Sequence, residues 1–339
     1  MRKAFATLLG SAALGFALCT ATVSAEVGEI RIAQQYGINY LPLMVMEDQR
    51  LIEAQARRLG LGDIKVTWSK MSSGAAMNDA LLSSSLDIAS GGVGPIVTLW
   101  AKTSSLAPSQ QVKAIAALDS MPVVLNTRNP LIKRVEDFTD EDKIALPAVK
   151  VSIQAVTLQM AAAKAFGEQN YAKLDAITVG MSHPDGMVAL LNPRSEVDSH
   201  FTGPPFSELE ARHPGIHTVV HSYTLMGGMT TSTIAWTTGR FHDQNPKLYQ
   251  AFLAALKDAV NIIDKDKRSA AELYLRMTNG KENVDTMESI LSDPDIKYTL
   301  TPMKVLDYAT FMHKVGSIKV LPRSWADMFF PEIHDLKGS

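Results

Sequence analysis

Apolar positions along the chain follow two spacings. Residues 29–33 and 63–69 place apolar side chains at every second position, with Ile64, Val66 and Trp68 on one face of the second run; both predict short strands. Between them, residues 40–59 carry Leu43, Met46, Leu51 and Ala54 near helical spacing and stop at Gly60, which predicts one continuous helix. Residues 75–84 predict another helix, Asp87-Ile-Ala a buried strand, residues 95–102 a third helix and residues 112–118 a further strand. Strands alternating with helices in this way predict an α/β lobe with a largely parallel sheet.

A second series follows. Residues 122–126 predict a strand leaving the first lobe, 132–138 a short amphipathic helix, 143–147 a strand and 151–166 an Ala-rich helix. Residues 175–179 predict a strand, 185–191 a helix begun by a Pro184-Asp-Gly turn, and 197–201 a strand. Residues 219–225 run into Met226-Gly-Gly, and the β-branched run 230–237 predicts a strand returning to the first lobe. Crossings near 122–126 and 224–236 then predict a paired hinge. From Pro246 onward the pattern is helical: Leu248, Phe252, Leu256 and Ile263 share a face, Ser269 with Glu272 fits a capping box, and a last helix runs from Thr301-Pro302 to Gly316. The expected division is 1–25 as a leader, 26–122 and 227–339 as the first lobe with its C-terminal helices, and 123–226 as the second lobe.

Composition changes this picture at the N-terminus. Arg2 and Lys3, an apolar run from 4 to 18 and Val23-Ser-Ala25 form the three regions of a secretory signal, with cleavage expected after Ala25. The single cysteine, Cys19, lies inside that leader, and Leu18 before it does not suit lipidation. The expected mature chain carries no thiol, hence no disulfide, thiolate catalysis or Cys-based metal site. Without Arg2 and Lys3 the charge balance is 31 basic against 35 acidic residues, net −4, which argues against nucleic acid and against electrostatic footing on a membrane. These features predict a soluble exported monomer that needs no cofactor.

Catalytic motifs are absent: there is no nucleophile elbow, phosphate loop, spaced dinucleotide fingerprint or His-Glu-x-x-His pair. His183-Pro-Asp185 and Asp198-Ser-His200 are the tight His/Asp groupings, and turn chemistry and strand-end polarity explain them more simply than a metal does. Binding signals converge instead on strand-to-helix turns. Tyr36 and Tyr40 bracket Gly37-Ile-Asn39, offering ring faces and hydroxyls. Ser72, Ser73 and Gly74, then Ser90, Gly91 and Gly92, form two more turns on the same sheet edge, where helix N-termini and close backbone approach suit a small anion. Ser152 and Gln154, Thr202 with Gly203, and Met226 with Gly227 hold the corresponding places further on. Each of these residues also has an ordinary role as a cap, a turn or a hinge.

At these residues the chain resembles the periplasmic binding proteins of the nitrate/sulfonate/taurine class of ABC importers. Residues 32–46 with Leu41-Pro42, Ser73-Gly74, Asn78-Asp-Ala-Leu81, Asp87-Ile-Ala, Lys143-Ile-Ala, Glu196-Val-Asp198 and Pro204-Pro-Phe206 carry the resemblance, which covers most of 29–240. It implies a two-lobed type II fold whose cleft closes on a solute and presents it to a membrane permease with a cytoplasmic ATPase. The family's cleft turns fall on 36–40, 72–74, 90–94, 151–154, 202–203 and 226–227 of this chain. Its ligands include sulfonates, nitrate, bicarbonate, aromatic carboxylates and thiamine-precursor pyrimidines. Apart from Lys150 beside Val151, these turns carry no formal charge, so an anionic head would be held by N–H dipoles and hydroxyls, and nothing pairs the amine of taurine. The expected ligand is a small organic anion, a sulfonate or carboxylate with an aliphatic or aromatic tail. The alternatives are a neutral pyrimidine-like heterocycle, an enzyme on the same fold or an extracellular sensory module.

Overall fold

The computed structural model describes residues 26–339; the expected leader lies outside them. The chain opens with β1 (Glu29–Gln34), α1 (Leu41–Asp48), α2 (Leu51–Arg58), β2 (Lys65–Lys70), α3 (Gly74–Leu82), β3 (Ala89–Gly92), α4 (Val93–Thr103) and β4 (Val112–Ala117). β1 pairs with β2 in parallel and touches the segment before β3 through the Ile32–Ile88 bridge. The sheet is not parallel throughout, however. β11 (below) is inserted antiparallel between β3 and β4. That pairing joins segments more than a hundred residues apart in sequence, so periodicity alone does not reveal it.

The chain crosses to the second sheet after β5 (Asp119–Ser120). There follow β6 (Val124–Thr127), β7 (Ile144–Leu146), α5 (Ile153–Phe166), β8 (Thr178–Gly180), α6 (His183–Leu191), β9 (Ser199–Thr202), α7 (Phe206–Ala211), β10 (His217–His221) and α8 (Ser222–Met226). Their strand order is β10-β6-β9-β7-β8, with β7 parallel to β8 and β9. The return crossing leads to β11 (Thr233–Thr238). At the joint the two passages lie side by side, bridged at Ser120–Thr231. α9 (Gly239–Gln244), α10 (Pro246–Lys265), α11 (Lys267–Thr278), α12 (Val284–Leu291), β12 (Lys297–Tyr298) and α13 (Val305–Lys314) complete the chain, β12 pairing with β5 beside the joint.

Several expected elements change form. The helix expected over 40–59 is two helices, broken at Arg50, which adopts a left-handed backbone (φ 51°). α1 is buried along Leu41–Met46, whereas α2 buries only Ile52 and Ala56; the break lets α2 turn that narrower face onto α10. The short helix expected over 132–138 is a single 3-10 turn, and the strand expected over 175–179 begins only at Thr178, after a 3-10 turn at Asp175–Ile177. Pro184-Asp-Gly186 is not a turn preceding a helix but the first turn of α6, capped by Ser182. Proline suits that place because an N–H there would have no helical partner. The cap of α11 is Asp266, which accepts from Ser269 N, so the Ser269–Glu272 box does not form. Among the described residues no helix is long and apolar enough to cross a membrane.

Candidate functional site

Four helix N-termini meet where the two sheets face each other. Gly74 begins α3, Gly92 precedes α4, Ser152 precedes α5 and His183 begins α6; all four line one inter-lobe cavity. The sequence builds these starts locally. Ser73 accepts from Ala76 N, Ser152 from Ala155 N and Ser182 from Asp185 N, each satisfying one donor and leaving earlier N–H groups free of helical partners. Each N-terminus carries roughly half a positive charge, so the cavity is electropositive although it is lined by no Lys, Arg, Asp or Glu.

The first-lobe wall is a hydrogen-bonded floor. Gln35 Nε2 donates to the Tyr40 hydroxyl at 2.7 Å, and Asn39 Nδ2 to Ser232 Oγ at 2.6 Å; Ser232 in turn donates to Asp119 Oδ1 at 2.6 Å. Asp119 is fully buried behind Ser232, and burial pushes its carboxyl up to about 7 against the hydrogen bonds from Ser232 and Thr233. Its Oδ2 has no partner among the described residues. Burial, then the proximity of Asp119, raises the Tyr40 phenol as well, so Tyr40 is a neutral donor or acceptor.

The second-lobe wall is a chain of buried polar groups. Gln154 Nε2 lies 3.5 Å from His183 Nε2; His183 Nδ1 faces Thr202 Oγ1 at 2.8 Å and His200 Nε2 at 3.4 Å; His200 Nδ1 meets Glu210 Oε1 at 2.5 Å. Asn126 Nδ2 donates to Glu210 Oε2 at 3.0 Å. Burial, and then the charge of His200, hold His183 down at about 3, so its ring is neutral. Phe206 stacks on the His183 ring, centroids 5.7 Å apart.

The lobes are closed on each other. The free volume between them is about 30 Å³, room for little more than a water molecule. Ile38 N donates across the gap to Pro204 O at 3.3 Å. The glycines expected to give a ligand close approach mainly serve this closure. A Cβ on Gly92 would lie 2.7 Å from Ile153 Cγ2, and one on Gly94 2.3 Å from Val151 O, both in the opposite lobe.

Of the expected site residues, Tyr36, Asn39, Tyr40, Gly74, Gly92, Ser152 and Gln154 line the cavity. Ser73 caps α3 at its edge, and Ser72 is exposed beside it. Ser90 spends its hydroxyl on Ala33 O, and Gly91 packs against Gln35 and Trp236, so both support the wall from behind. Thr202 reaches the cavity through His183. Met226 and Gly227 are displaced from it: they end α8, with Gly227 as its left-handed cap (φ 71°). The recrossing chain meets the cavity at Ser232 and Thr233 instead. Reading Pro184-Asp-Gly as a turn concealed His183; the Ser182 cap and the proline were the available signals that the helix starts there. Gln35, Ser232 and Thr233 were also missed. His200 is, as expected, a satisfied strand residue rather than part of the lining.

Residues 24–276, well over half of the chain, match the NMT1-like family. The chain belongs to that family. No curated protein sequence matches this NMT1-like chain significantly. Among solved structures it is similar to the alkanesulfonate-binding protein SsuA from Xanthomonas axonopodis pv. citri bound to MOPS, with 16% identity, a TM-score of 0.67 and coverage of 88% of this chain and 96% of that one. The periplasmic aliphatic sulphonate-binding protein SsuA from Escherichia coli matches at 15% identity and TM-score 0.64, covering 90% and 92%. The periplasmic nitrate-binding protein NrtA from Synechocystis PCC 6803 matches at 17% and 0.67, covering 89% and 84%. At these identities the likeness establishes the fold: this NMT1-like chain has the two-lobed α/β architecture of periplasmic binding proteins.

Proposed function

We propose that this protein is the periplasmic solute receptor of an ABC import system, capturing a small oxyanion such as a sulfonate or carboxylate between its lobes. The observation that carries this reading is the convergence of four helix N-termini on one inter-lobe cavity lined by no formal charge. Dipoles and N–H groups fixed in that arrangement bind a compact negative head without a cation. A cavity of about 30 Å³ does not admit an organic anion, so the solute enters by opening about the Ser120–Thr231 joint and is enclosed on return. The lobes of this motion would be residues 26–122 with 227–339, and 123–226. The exported monomer would then present its cargo to a membrane permease driven by a cytoplasmic ATPase, without turning it over. The similar structures, by their printed names, bind alkanesulfonates and nitrate.

Micromolar affinity corresponds to about −8 kcal/mol, within reach of several N–H···anion bonds after the cost of closure is met. A neutral heterocycle is the second reading, favoured by the uncharged lining and by the half-buried ring of Tyr36 at its edge. Calorimetric titration with methanesulfonate, benzoate, nitrate and a 4-aminopyrimidine separates the two. One-to-one binding of an anion, lost in Asn39→Ala and Gln154→Ala, supports the first reading; binding of the pyrimidine alone supports the second.

A further inference from the structure

We propose that His183 is the specificity-determining contact of the second lobe, presenting an Nε2–H donor to an oxyanion because the buried Glu210–His200 pair fixes its tautomer. The inference deepens the oxyanion reading and rests on it for the identity of the ligand, though not for the placement of the protons.

Glu210 and His200 are both 0% exposed. A buried carboxylate is costly unless a cation faces it. The titratable partner on Glu210 is His200, 2.5 Å from Oε1, while Oε2 takes a neutral donor from Asn126. The two groups share one proton; imidazole is the more basic of them and the Asn126 donor favours the carboxylate, so the pair is an imidazolium and a carboxylate with both His200 nitrogens protonated. His200 Nε2–H then points at His183 Nδ1, 3.4 Å away, which makes that nitrogen an acceptor, and the Thr202 hydroxyl 2.8 Å from it is then oriented to donate as well. An N–H aimed at Nδ1 requires that nitrogen to be bare. His183 is neutral, so its one proton sits on Nε2, on the side of the ring away from Thr202 and His200 and toward the cleft.

The neighbouring amide completes the arrangement. Gln154 Nε2 stands 3.5 Å from His183 Nε2, and both residues line the cavity. With Nε2 protonated the two are both donors and do not bond each other, which leaves both for an acceptor in the cleft such as an oxyanion oxygen. The backbone is shaped to hold the relay. A Cβ on Gly186 of α6 would lie 2.5 Å from His200 Nε2, so only glycine there leaves His200 its place against the helix. The result is a positive charge stored one ring behind an uncharged wall. It strengthens the donor facing the ligand and requires no exposed cation to compete for water.

Long-range proton–nitrogen NMR of the ligand-free wild-type protein at neutral pH tests the placement directly. The expected result is His183 protonated at Nε2 alone and His200 protonated at both nitrogens. A proton on His183 Nδ1, or a neutral His200, overturns the proposal. Glu210→Gln should cost His200 its second proton, a signature that mere loss of packing does not produce. Binding of nitrate, methanesulfonate and benzoate supplies the second arm. His183→Gln retains a donor near the Nε2 position and should bind the preferred anion within about threefold of wild type, whereas His183→Asn, which puts its amide near the Nδ1 position, should lose tenfold or more. Equal losses in the two variants would overturn the donor role. If none of the three anions binds the wild type, the oxyanion reading fails, while the NMR result still decides the relay.

Discussion

Gly92→Ala tests whether the cleft works by closure. Gly92 precedes α4 with φ −63° and ψ 163°, a conformation alanine adopts freely, so the substitution strains no backbone. Within the first lobe its cost is about 0.5–1 kcal/mol, because alanine is a poorer N-cap than glycine. Across the gap the effect is larger. The new methyl would lie 2.7 Å from Ile153 Cγ2 and 2.9 Å from Ile153 Cβ, and ordinary contact begins near 3.4 Å, so the lobes must part by about 0.7 Å. Ile153 cannot rotate away cheaply, since its branched Cβ is itself one of the clashing atoms. Overpacking of this kind costs about 1–3 kcal/mol, which applies only to the closed state and therefore weakens ligand binding about 5- to 150-fold. Calorimetry gives the affinity, thermal unfolding the stability, and small-angle scattering with ligand the degree of closure. The melting temperature should barely move while affinity and compaction both fall. Adding Ile153→Ala removes the Cγ2 contact and should restore part of the loss. Wild-type affinity together with wild-type compaction in the single variant would refute the reasoning.

Three further outcomes follow from the groups around the cavity. Burial holds Asp119 at about 7, above its unfolded value of about 3.9, so the unfolded chain releases this proton first and the group's contribution to stability is lost as pH rises from about 4 to 7. Asp119→Asn should therefore gain on wild type by at most about 4 kcal/mol between pH 4 and pH 8; a stability difference from urea titrations that does not change with pH would show the carboxyl to be ionised throughout. His183, held at about 3, acts in the opposite sense as its unfolded form titrates near 6.5, so the pH dependence of the wild type alone understates both groups. Tyr40→Ala should cost about 3–5 kcal/mol of stability, because the ring is 5% exposed and its hydroxyl takes the Gln35 bond. Tyr36→Ala, at a half-buried ring on the cavity edge, should leave stability nearly unchanged and weaken ligands with an apolar tail; equal melting losses in the two variants would contradict this assignment.

Local chemistry made most of the first-lobe wall legible. Short hydroxyls before apolar-periodic runs located the starts of α3 and α5, and the glycines that end β3 located that of α4. What escaped was non-local or locally ambiguous. Nothing near Thr233–Thr238 signals that this strand enters antiparallel between β3 and β4, since the pairing depends on segments over a hundred residues away. The recrossing falls within the expected stretch 224–236, where Thr231 meets Ser120, but Met226 and Gly227, expected to line the cleft there, end α8 with Gly227 as its cap. His183 was obscured by Pro-Asp-Gly, a sequence that suits a turn and a proline-started helix equally well. Gly92 was recognised as a site of close approach, but the partner it approaches, Ile153, is visible only once the lobes are closed.

The most direct test of the account is a thermal-shift panel on the mature chain with sulfonates, carboxylates, nitrate and pyrimidines. A ligand at a hundred times its dissociation constant adds about 2.7 kcal/mol to stability, a rise of several degrees for a protein of this size. The account predicts that at least one oxyanion produces that rise and that the pyrimidines do not. A panel in which no anion shifts the melting temperature, or in which only a neutral heterocycle does, would contradict it.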